Sequence, residues 1–138
     1  MNDPFFGEVI HSYSRAQAIE DGVLVDLMQG EMGDLVREAG FNYPIAMTAT
    51  AFDKYVHPIG GELPKGYGQS LTGRLWDVLM MLKYAIKTQP RSPQVTVRFR
   101  CIPNDTKTGT PRPALLKSIC GPGDDLQPVI TIMLPEED

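Results

Sequence analysis

Leu71-Thr72-Gly73-Arg74-Leu75-Trp76-Asp77-Val78-Leu79-Met80-Met81-Leu82-Lys83-Tyr84-Ala85-Ile86-Lys87 carries the strongest structural signal in the chain. Leu71, Leu75, Val78, Leu79, Leu82 and Ile86 recur at helical spacing, so the stretch predicts one long helix over 71–87. Trp76, Met80, Met81 and Tyr84 widen the apolar arc beyond a single stripe. A helix of that kind is expected at the centre of a core or at a subunit interface, because a narrow stripe would suffice for a surface helix. Pro90 and Pro93 end it.

The chain beyond this helix reads as β. Val95, Val97, Phe99 and Cys101 alternate with Thr96, Arg98 and Arg100, a period of two. Residues 114–120 and 129–134 are two further strands, and together the three predict an antiparallel meander. The polar Pro/Gly/Thr stretch 104–113 is a loop. In Gly121-Pro122-Gly123-Asp124-Asp125, proline followed by glycine predicts a type II turn with Gly123 supplying the positive φ.

Upstream the signals are shorter. Residues 5–13 read as a strand. Ser14 with Gln17 three residues later has the capping-box spacing of a helix start, and Asp21-Gly22 ends that helix. Residues 23–27 form a second apolar strand. Gly30 and Gly33 read as a loop before one or two helical turns over 34–39, stopped by Gly40. Pro44-Ile45-Ala46-Met47 reads as a short extended link. Thr48 and Thr50 are candidate caps for a helix over 51–56, closed by Pro58. Residues 57–70, with four glycines and two prolines, read as a surface loop. The expected architecture is a single α+β domain over 1–138: a C-terminal three-stranded meander packed on a long apolar helix, with an N-terminal strand–helix–strand unit.

Composition sets limits on function. The 138 residues, 42% hydrophobic and 22% charged, are enough for one self-sufficient core. Cys101 and Cys120 have neither disulfide-framework nor metal-ligand spacing and read as reduced cytoplasmic thiols. No apolar stretch is long enough to span a membrane. A net charge of −4 opposes non-specific nucleic-acid binding, which needs Lys and Arg against phosphate. No motif implies a cofactor or metal. His11 and His57 are the two histidines, and no Gly-x-Ser-x-Gly elbow accompanies them, so Ser/His/Asp catalysis has no support.

Several blocks resemble a small bacterial family of unknown function. They are Phe6-Gly7-Glu8-Val9-Ile10-His11-Ser12-Tyr13-Ser14-Arg15-Ala16-Gln17-Ala18, Asp21-Gly22-Val23-Leu24-Val25-Asp26, Arg37-Glu38-Ala39-Gly40-Phe41, Gly73-Arg74-Leu75-Trp76-Asp77-Val78-Leu79, and Cys120-Gly121-Pro122-Gly123-Asp124-Asp125 leading into 128–135. Residues 54–70 depart from the family pattern. The resemblance implies an accessory protein of bacterial chromosomes, plasmids and phages, and carries over no catalytic residue.

Three groups are candidate sites. Arg98 and Arg100 share one strand face; Lys117 and Arg74 could join them in holding a phosphate or a partner's carboxylates. The plainer reading is a solvent-facing sheet side with paired charges. His11 and Tyr13, at a strand end before a capped helix, resemble the opening of ADP-ribosyltransferase-type folds and are candidate nucleotide contacts; Glu136 or Glu137 would have to supply the late glutamate. Asp124 and Asp125 could face a metal, although adjacent acids rarely converge on one ion and a hairpin turn explains them equally. The leading expectation is a non-enzymatic protein that binds a protein or small anionic partner, an anti-defence factor of a mobile element being one form. The alternative is a nucleotide-binding or nucleotide-modifying protein. The apolar excess of the 71–87 helix also suggests a homodimer.

Overall fold

The computed structural model describes residues 13–63, 68–102 and 110–137. Within them lie four helices and five strands: α1 (Arg15–Glu20), β1 (Leu24–Asp26), α2 (Gly30–Glu38), β2 (Ile45–Thr48), α3 (Ala49–Tyr55), α4 (Leu71–Thr88), β3 (Gln94–Cys101), β4 (Arg112–Pro122) and β5 (Pro128–Met133). The strands form one mixed sheet in the order β1-β2-β5-β4-β3. The expected meander is present, β3 pairing β4 and β4 pairing β5, both antiparallel. The strand expected over residues 5–13 lies almost wholly outside the described residues.

The long helix does what its periodicity predicts. Leu75, Val78, Leu79, Leu82 and Ala85 are buried along one face of α4. They pack with Val95, Val97, Leu116, Ile130 and Ile132 from the inner face of the sheet. Trp76 is only half-buried, and Tyr84 is 63% exposed. The wide apolar arc is therefore covered on its sheet side and open on the other. Ser70, which periodicity does not mark, caps α4 by accepting a hydrogen bond from the Gly73 N–H at 3.0 Å. Ser70→Ala is expected to cost about 1 kcal/mol through that orphaned donor, read as a lower denaturant midpoint at unchanged slope. An unchanged midpoint would mean the cap contributes nothing.

Four local readings need correction. Gly30 and Gly33 lie inside α2, not in a loop before it. Gly33 is buried where the Met28 carbonyl passes so close that a Cβ would collide with its oxygen. Glycine here answers to packing, and its breaker character misleads. Residues 44–47 are not a link: Ile45, Ala46 and Met47 are buried in β2, which pairs antiparallel with β1 and parallel with β5. In the β4–β5 hairpin, Gly121 and Pro122 belong to β4, and the positive φ falls on Leu126 (67°). Thr48, not Thr50, caps α3, accepting from the Ala51 N–H.

Other signals read correctly. Ser14 caps α1 by accepting from the Gln17 N–H at 3.0 Å. Gly40, at φ 93°, ends the turn after α2, with the Phe41 N–H reaching back to the Val36 carbonyl.

Candidate functional site

Among the described residues β3 is an edge strand, and its two sides differ. Val95 and Val97 are buried against α4, while Arg98 and Arg100 on the opposite face are exposed. The alternation alone puts both guanidinia on one side. Register places Arg98 opposite Leu115 and Arg100 opposite Pro113, neither of which supplies a charge. Among the described residues no carboxylate lies within ion-pair distance of either arginine. Arg100 donates one long hydrogen bond, 3.3 Å, to the Pro111 carbonyl. Asp124, one acid that could have neutralised this face, is engaged elsewhere. Asp105, the other, lies outside the described residues.

The free edge of β3 is partly closed by its own chain. The Gln89 side-chain amide bonds both backbone groups of Thr96, accepting from its N–H at 3.1 Å and donating to its carbonyl at 3.0 Å. The Ser92 hydroxyl donates to the Gln94 carbonyl at 2.5 Å. The sheet edge is thus plugged along its first half, which blunts unspecific strand pairing there. Arg98 and Arg100 follow on the half beyond these plugs. Neither Gln89 nor Ser92 stands out in the sequence; both act through chain reversal after α4.

The other two members of the expected basic group are placed differently. Lys117 pairs with Thr96, one diagonal step from Arg98, and its charge acts on Glu137. Arg74 is 4% exposed on the first turn of α4. It donates to the Ile102 carbonyl at 2.5 Å and to Gln69 Oε1 at 3.0 Å. Burial pulls its guanidinium below the ordinary arginine value. Arg74 and Arg100 nevertheless line one small crevice of about 140 Å³ at the end of β3, together with Asp77 and Phe99.

Asp124 and Asp125 spend their carboxylates within the fold. Asp124 accepts from the N–H groups of Arg15 (2.8 Å) and Ala16 (3.0 Å), capping α1 from the far end of the chain. Asp125 accepts from the Gln127 N–H within its own turn. Arg15 completes the clamp, donating to Thr131 Oγ1 at 2.6 Å and the Ile130 carbonyl at 2.8 Å. Tyr13 is exposed, and its hydroxyl donates to Asp21 Oδ2 at 2.9 Å, a bond that raises the phenol's pKa. His11 lies outside the described residues. Glu137 accepts from Thr48 Oγ1 (2.7 Å), Thr50 Oγ1 (2.6 Å) and the Leu134 N–H (2.8 Å). The acidic tail is tied at this point to the start of α3.

These bonds predict acid sensitivity. The Asp124 carboxyl sits below its ordinary value because the Ala16 and Arg15 N–H groups bond its charged form, with burial opposing weakly. Glu137 is also lowered: burial raises it, but the Thr50 and Thr48 hydroxyls, the Leu134 N–H and the Lys117 charge together outweigh that. A folded-state value below the unfolded one gives stability that is present above the unfolded carboxylate pKa and lost as pH falls through the folded one. The melting temperature of the wild type is expected to fall between about pH 5 and pH 2, and less steeply in Asp124→Asn. Superimposable acid limbs would show that the α1 clamp adds no pH-dependent stability.

A family of unknown function, DUF6573, matches residues 1–138. The chain belongs to this family. No curated protein and no solved structure matches it. Among the described residues, no helix is long and apolar enough to cross a membrane.

Proposed function

We propose that this member of DUF6573 works by binding, and that the partner offers a small anion or an acidic protein segment to Arg98 and Arg100. The supporting observation is the pair of exposed guanidinia on one face of an edge strand, with no carboxylate at ion-pair distance among the described residues. Two arginines two residues apart can bracket one phosphate or carboxylate through charge-assisted hydrogen bonds. Lys117, one diagonal step away, adds positive potential. On an acidic chain such a local patch suits a discrete anionic group better than a long nucleic acid, which calls for an extended basic surface. An accessory role in a phage or plasmid, blocking a host defence complex, is one form of this reading and rests on the family resemblance alone.

The test is calorimetric titration of the full chain with inorganic pyrophosphate and with a short peptide alternating glutamate and valine. Saturable binding of at least one, weakened by added salt, is expected. No heat from either at millimolar concentration would remove the reading.

A further inference from the structure

We infer that the cleft between the C-terminal end of α2, the last turns of α4 and the inner face of the sheet is a binding site for a small amphipathic anion, with an apolar body and one carboxylate-like head. This site is separate from the Arg98–Arg100 face and does not depend on it. The cleft encloses about 420 Å³, a volume typical of small-molecule pockets. Its apolar wall is built from Phe41, Val95, Ile130 and Ile86, with Tyr43 at the lip. Tyr43 and Ile86 are 45% and 39% exposed, so apolar side chains stand in solvent at the opening.

The polar groups in this wall point to the charge of the head. Lys83 and Lys87 both line the cleft, and among the described residues no Asp or Glu does. They are four residues apart on α4 and hence on one face, where like charges repel. Lys83 Nζ is fixed in place by donating to the Ala39 carbonyl at 2.9 Å. An ammonium has three donors, so two remain for a ligand. Gly40 keeps that ammonium close to the backbone: a Cβ there would approach it to 3.3 Å.

Ser118 is the second, independent sign. It is 3% exposed and belongs to the cleft lining. Its hydroxyl makes no hydrogen bond among the described residues, yet none of their buried side-chain polar atoms is both fully enclosed and unpartnered. The hydroxyl therefore keeps some contact with open space, and the cleft is a space that Ser118 lines. A second copy of the chain fits this opening poorly. Two-fold pairing sets the same patch against itself, and here that would gather four ammonium groups with no acid among the described lining residues between them.

Decanoate, 1-decanol and decyltrimethylammonium share a ten-carbon chain, counting the carboxylate carbon, and differ in head charge, so they separate the contributions. Titrated calorimetrically into the full chain, decanoate is expected to bind saturably at one site, and the other two at least about tenfold more weakly, as a charged hydrogen bond of ordinary strength implies. Cys120 lines the cleft and Cys101 does not, so the two thiols report location. Decanoate should slow iodoacetamide labelling of Cys120 relative to Cys101. Lys83→Gln with Lys87→Gln, both at exposed positions, should weaken decanoate about tenfold; Ser118→Ala should weaken it in the same direction. Arg98→Glu with Arg100→Glu should leave it unchanged, which keeps this result distinct from the anion test on β3. The inference is overturned by no decanoate binding, equal binding of all three probes, unprotected Cys120, or undiminished affinity in the double lysine variant. Ligand-independent dimerisation by light scattering, lost in Ile86→Glu, would also overturn it in favour of a second copy.

Discussion

Leu79→Ala is expected to destabilise the protein by about 3–5 kcal/mol, enough to lower the melting temperature by roughly 10–17 °C. Leu79 is fully buried on α4, in one core cluster with residues of the sheet. Truncation removes apolar contact area and leaves a cavity that the surrounding strands, fixed by their ladders, can fill only in part. Trp76→Ala should cost less although its ring is larger, because Trp76 is half-buried at the rim of the same helix. Urea denaturation of the two variants reads the order directly: the midpoint should fall further for Leu79→Ala, with similar slopes. A larger loss at Trp76 would place the principal core on the other side of α4.

Charge reversal of the edge strand should give the largest functional effect. Arg98→Glu with Arg100→Glu is expected to weaken pyrophosphate or acidic-peptide binding by about 100-fold or more, since two charge-assisted contacts are lost and repulsion replaces them. Both side chains are exposed, with no carboxylate at ion-pair distance among the described residues, so stability should change by no more than about 0.5 kcal/mol. Lys117→Gln should have a milder effect, because Lys117 is half-buried and its charge also acts on Glu137. Undiminished binding in the double reversal would move the functional face elsewhere. Loss of folding would mean that the arginines hold the sheet together.

Elements whose signal is local were legible in the order of residues. The 3.6-residue spacing of Leu75, Val78, Leu79 and Leu82 specified α4 and its buried face. The strict alternation of Val95, Val97 and Phe99 with Arg98 and Arg100 specified β3, and with it which side carries the arginines. Ser14 and Gly40 marked a helix start and stop through hydrogen bonds made within a few residues. Each of these depends on neighbours along the chain, so periodicity and turn chemistry were enough. The remaining features emerge from contacts between distant segments. β2 lies between β1 and β5, where Ile45, Ala46 and Met47 are buried together, and a strand covered on both faces shows no alternation. Its parallel partner is more than eighty residues away. Asp124 takes its meaning from the N–H groups of Arg15 and Ala16, and Glu137 from two threonines before and in α3. The cleft draws Phe41, Lys83, Val95, Ser118 and Ile130 from α2's exit, α4 and three strands. No window of sequence contains those contacts, because chain folding alone brings their partners within reach.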